Sequence, residues 1–144
     1  MEFVSSNFLA VRVHVQRNRD EYKELAARYN AQWTPTILIL DSTGQERHRI
    51  EGFLPADDFL AQLELGAAQL AMARQDFPDA EQRFRGIIER DSQSEVAAEA
   101  MYWAGVARYK ATGDAAALKA TANDFRERHA GSTWAKKASV WAAP

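Results

Sequence analysis

The chain runs Trp33-Thr34-Pro35-Thr36 directly into the apolar stretch "TILIL", residues 36–40, and then into "DSTGQ", residues 41–45. Proline has no backbone N–H, so within a sheet it is confined to edges, bulges and first strand positions, and the bond preceding it is the one peptide bond that is readily cis. Pro35 therefore fixes where a strand begins. "DSTGQ" can turn, and "ERHRIEGF", residues 46–53, can pair back as the second arm of a hairpin.

Upstream of the proline the pattern alternates. In "FLAVRVHVQ", Leu9, Val11, Val13 and Val15 alternate with Ala10, Arg12 and His14, the period of a strand with one buried face. "NRDEYKELAARYN" then offers Asn18 or Asp20 as a helix cap and puts Tyr22, Leu25, Ala26 and Tyr29 on one helical face. The expected order is strand, helix, strand, hairpin strand, helix, an α/β arrangement over residues 1–65. Beyond Pro55 the texture becomes helical and alanine-rich, with the boundary in a shared helix near residues 57–74 and an all-α array over 57–144.

That array repeats. "QSEVAAEAMYW", Gln93 to Trp103, realigns with "GSTWAKKASVW", Gly131 to Trp141, at an offset of about 38 residues that also sets Asp76 on Asp114. Ser94 and Ser132 then each cap a helix, since a side-chain oxygen at that position satisfies an orphan N–H of the first turn. Helices are expected at 57–74, 77–90, 94–112, 115–129 and 133–142. The spacing of Phe77, Ala80, Phe84, Ile87 and Ile88 suits helices that stack on two neighbours.

Composition excludes several classes of function. With no cysteine among 144 residues, this chain has no disulfide, thiolate nucleophile or cysteine-ligated metal of its own. A net charge of −2 gives no field to attract nucleic acid, and no apolar run approaches the roughly 18 residues that span a bilayer. The N-terminus has no basic stretch leading an uninterrupted apolar core, so the expected location is cytoplasmic. His14, His48 and His129 lack ligand spacing, and neither a metal nor a cofactor is expected.

The segment "YNAQWTPTILILDSTGQERHRIEGFLPADDFLAQL" resembles the C-terminal half of a thioredoxin fold. Thr34-Pro35-Thr36 matches that family's cis-proline motif, Gly44 its hairpin glycine, and Gly52 the glycine before its final helix. From Phe59 onward, "ELGAAQLAMARQDFPDAEQRFRGII" and "YWAGVARYKATGD" are similar to tetratricopeptide repeats, with Ala80 and Gly105 at the small packing positions, giving about two and a half repeats. The resemblance implies a truncated thioredoxin-like β-α-β-β-α unit followed by helical hairpins. It also implies that Thr34 offers its backbone to an extended peptide while Pro35 shapes the groove, with Trp33 beside them as an anchor or a cap over the sheet. The family's first two strands, first helix and Cys-x-x-Cys helix have no counterpart here. In its sheet the second strand lies between the equivalents of residues 9–15 and 36–40, so its loss leaves two rows of backbone groups unpaired. A collapsed three-stranded sheet or a strand from a second chain could fill that gap.

Two further features admit two readings each. Tyr102, Val106 and Tyr109 lie on the first helix of the second repeat, where tetratricopeptide proteins bind peptides, and aromatics at helical spacing also pack between helices. The acids Asp57, Asp58, Asp76 and Asp79 suit helix starts better than paired catalytic carboxylates, and "DSTGQE" suits a turn better than a calcium loop. The leading expectation is a non-enzymatic module binding a protein or peptide partner. The rival is the C-terminal piece of a thiol-disulfide oxidoreductase or chaperone, active in cell redox homeostasis, whose cysteines lie upstream of Met1. A third is a homodimer through the open sheet edge.

Overall fold

A computed structural model describes residues 2–142, which fall into two compact units divided between Pro55 and Ala56. In the first, a short helix α1 (Glu2–Asn7) leads through an irregular stretch to α2 (Arg19–Tyr29), and then come β1 (Thr36–Leu40) and β2 (Glu46–Glu51). The two strands pair antiparallel, with Ile37 opposite Ile50, Leu38 opposite Arg49, and a bulge between Ile39 and Leu40. β1 starts directly after Pro35, where the missing donor places it.

The turn between the strands is organised by one carboxylate. Asp41 Oδ1 accepts from the Thr43 N–H at 2.8 Å, the Thr43 hydroxyl at 2.6 Å and the Gln45 N–H at 3.1 Å. Gly44 follows at φ +78°, the left-handed region that glycine enters without a Cβ penalty. The Tyr29 hydroxyl donates to Gly44 O at 3.0 Å, and Arg49 donates to the Tyr29 carbonyl, so the end of α2 is tied to the hairpin.

The expected strand over residues 9–15 does not form. Among the described residues the sheet has two strands, and Leu9 and Val11 are 95% and 78% exposed. Alternation specifies which side chains share a face but supplies no neighbour for the backbone, and an extended segment without a paired edge gains no ladder hydrogen bonds. The chain instead turns at His14, whose Nδ1 accepts from the N–H groups of Gln16 and Arg17. Neither a β-α-β-β order nor a collapsed three-stranded sheet is present in the described first unit. At α2, Asn18 takes the cap position without capping, because its Oδ1 accepts from the His14 N–H.

The second unit contains α3 (Ala56–Ala73), α4 (Phe77–Arg90), α5 (Glu95–Thr112), α6 (Ala116–Arg128) and α7 (Thr133–Ala138), with a closing 3-10 turn at Ser139–Ala142. Its main core joins Leu65, Ala68 and Ala71 of α3 to Phe84 and Ile87 of α4 and Ala100 and Ala104 of α5. Alanines dominate because they let helix backbones approach closely, leaving Phe84 as the large filler, fully buried. Ser94 and Ser132 accept from the N–H groups of Ala97 and Ala135, both at 3.0 Å, while Asp76 accepts from Asp79 and Asp114 from Ala116. The expected helix over 133–142 divides at Ser139, whose hydroxyl donates to the Lys136 carbonyl and so competes with the helical ladder. The helix read from sequence as shared between the units is grouped with the second.

Candidate functional site: a hairpin-end surface and an aromatic helix face

Thr34 and Pro35, both exposed, precede β1, and the bond between them is cis. Pro35 O accepts from the Gly52 N–H at 2.9 Å, which closes the open end of the hairpin and brings the residue after β2 level with the residue before β1. Gly52 adopts φ +81° there, and the residue after it, Phe53, is 87% exposed. Trp33, two residues before Pro35, is 67% exposed, and its carbonyl accepts from the Thr36 hydroxyl at 2.6 Å. The hairpin thus ends with two large aromatic side chains in solvent on either side of a fixed backbone bond. Phe53 was not singled out from sequence; an aromatic immediately after the glycine that ends the second arm was the available signal.

Arg49 ties β2 to itself along its length. It faces Glu46 at 2.6 Å and Glu51 at 3.1 Å, and those hydrogen bonds, Glu46 first, raise its pKa above the ordinary guanidinium range while Arg49 lowers that of Glu46. At the other end of the hairpin Asp41 also meets Arg47, at 2.7 Å, and its carboxyl is held well below the usual range, chiefly by the Thr43 hydroxyl and then by Arg47. All of the Asp41 interactions are internal to the turn, which accounts for "DSTGQE" without a cation.

The residues proposed for a repeat groove are placed differently. Tyr102 is half-buried and stacks on Trp141 at 4.6 Å between ring centroids, with Trp134 at 5.2 Å and Trp103 at 5.4 Å. Lys137 lies 3.8 Å over the Trp134 ring. The Tyr102 ring is therefore engaged in joining α5 to α7 and the closing turn, the packing reading of its helical spacing. Val106 and Tyr109, four and seven residues further along the same helix, are also half-buried. A separate cavity of about 340 Å³ lies between α6 and α7, floored by Ala122, Phe125 and Ala135 and edged by Arg126 and Lys136; none of the nominated residues lines it.

Asp57 and Asp58 occupy the first turn of α3 and Asp79 that of α4, where acids favour the helix N-terminus, and Asp79 pairs with Arg83 at 2.7 Å. Among the described residues no three His, Asp or Glu side chains gather as a metal site would require, and no helix is long and apolar enough to cross a membrane. A family model described as a thioredoxin-like domain matches residues 1–67, so the N-terminal region, with its two-stranded sheet, is similar to that family and is followed by a mostly helical region. Neither the curated proteins nor the solved structures gave a match.

Proposed function

We propose that this chain is a non-enzymatic interaction module in which a thioredoxin-like region, joined to tetratricopeptide-like helical hairpins, holds an extended peptide segment of a protein partner. The observation that carries this reading is the exposure of Trp33 and Phe53 on either side of the Pro35–Gly52 hydrogen bond. Exposed aromatics on a rigid frame lose little conformational freedom when they bind, and such residues dominate peptide-recognition surfaces. Thr34 lies between Trp33 and Pro35 and offers backbone groups to a peptide in β conformation, the mode in which main-chain bonds give affinity and side-chain contacts give specificity. The tetratricopeptide-like assignment of the helices is supported by the offset of about 38 residues at which Ser94 and Ser132 cap α5 and α7 in the same way. The absence of cysteine supports a role without thiol turnover.

The test is a binding screen of the full chain against an array of extended peptides, followed by affinity measurements on the best ligand. Trp33→Ala and Phe53→Ala are each expected to weaken binding by at least roughly tenfold, as truncation of aromatic anchors commonly does. Unchanged affinity in both variants would sink the assignment to this surface. A second reading is favoured by the thioredoxin-like match: Thr34 and Pro35 form a substrate groove for a cysteine pair encoded upstream of these residues. Reading the coding DNA in frame ahead of Met1 tests it. A Cys-x-x-Cys helix there supports an oxidoreductase, and an in-frame stop rules it out.

A further inference from the structure

The first unit contains both halves of an unmade sheet contact. The Gly52-to-Pro35 hydrogen bond makes Thr36 and Glu51 a non-hydrogen-bonded pair, so Ile37 and Ile39 direct their backbone groups to β2 while Thr36 and Leu38 direct theirs away from it. Among the described residues those outward groups find no partner, and neither do the backbone groups of Leu9 to Val13. Strand edges in monomeric proteins are ordinarily blunted by charge. β2 is, through Glu46, Arg47, Arg49 and Glu51, whereas β1 has no charged residue. An uncharged edge and an exposed segment with strand period are thus left open in one chain.

We infer that two copies of this chain associate by reciprocal strand addition, residues 9–13 of each lying along the free edge of β1 of the other. The donated strand places Leu9, Val11 and Val13 on the face of Ile37 and Ile39. Ala10 and Arg12 fall on the opposite face, with Thr36 and Leu38. Because each copy gives one strand and receives one, a two-fold pair closes both edges and does not propagate. About 10 residues a side take part, and at the roughly 30–40 Å² per residue of ordinary interfaces this buries on the order of 350 Å² per copy, which marks a reversible, concentration-dependent dimer.

Sedimentation of the full chain from micromolar to near-millimolar concentration, combined with amide hydrogen exchange, tests the inference. The expected result is a mass rising toward two chains, with exchange at Leu9–Val13 and at Leu38 slowing in step. Val11→Pro removes one backbone donor from a segment with no regular structure, so the variant keeps its helical circular dichroism and moves the dimerisation midpoint by at least roughly tenfold. A mass of one chain throughout overturns the proposal. So does protection of Leu9–Val13 that ignores concentration, since the segment then closes its own edge, or a series of masses growing past two.

Discussion

Asp41 shows how much of the hairpin is held by one side chain. Its two oxygens take two backbone N–H groups, a hydroxyl and a guanidinium, each favouring the charged form. The carboxyl pKa is therefore lower in the folded chain than in the unfolded one, whose ordinary value is about 3.9. Its contribution to stability is fully present above that value and fades as pH falls toward the lowered folded value. Below about pH 4 the hairpin should weaken, read from tyrosine and strand signals in an acid titration monitored by NMR. Asp41→Asn keeps one acceptor but loses the charge, so this variant is expected to be less stable at neutral pH and to show a flatter acid limb. An unchanged acid limb would mean that other carboxylates set it.

Among the elements, sequence pattern was a good guide to helices and a poor one to the strand at residues 9–15, and the difference is physical. A helix satisfies its backbone internally, so capping residues such as Ser94, Ser132 and Asp76 and the apolar spacing of α4 carry nearly all the information needed. Strands need a neighbour, and nothing local to "FLAVRVHV" states whether one exists. Of the candidate site, Trp33, Thr34 and Pro35 were legible from the proline itself, whereas the fate of Tyr102 depended on Trp134 and Trp141, more than 30 residues away in the chain. Gly105 carries the same lesson into energetics. A Cβ there would fall well inside contact of Thr121 Oγ1 and 2.9 Å from Thr121 Cβ, with Thr121 itself buried and bonded to the Ala117 carbonyl. Helix propensity alone favours Gly→Ala by about 1 kcal/mol, but overpacking a fixed neighbour costs about 1–3 kcal/mol, so the packing penalty prevails. Gly105→Ala is expected to lower stability by about 1 kcal/mol in denaturant unfolding, and adding Thr121→Ala should recover part of it. A stabilised single variant would refute the close approach of α5 and α6.

At the scale of the whole molecule the two units are unequal in what holds them. Among the described residues, the buried hydrophobic side chains of the first unit are Ile39 and Ile50, and the others, from Leu63 to Ala138, belong to the second. A two-stranded hairpin is marginal in water without a third strand or a packed helix, and a unit of this length buries too small a fraction of its surface to offset the entropy of ordering it. The second unit has the opposite balance: successive helices share alanine-lined interfaces around Phe84 and Phe125, so each added helix buries its neighbour's face. Residues 56–144 expressed alone should retain a cooperative thermal transition and the helical circular dichroism expected from α3 to α7, whereas residues 1–55 alone should give an unfolded spectrum at low concentration. Cutting at the unit boundary leaves every core contact among α3, α4 and α5 intact, so loss of cooperativity in the longer fragment would show that the helical array draws its stability from outside itself. A folded spectrum from the shorter one would mean that backbone ties such as Arg49 to Tyr29 and Tyr29 to Gly44 suffice to hold a sheet with almost no core.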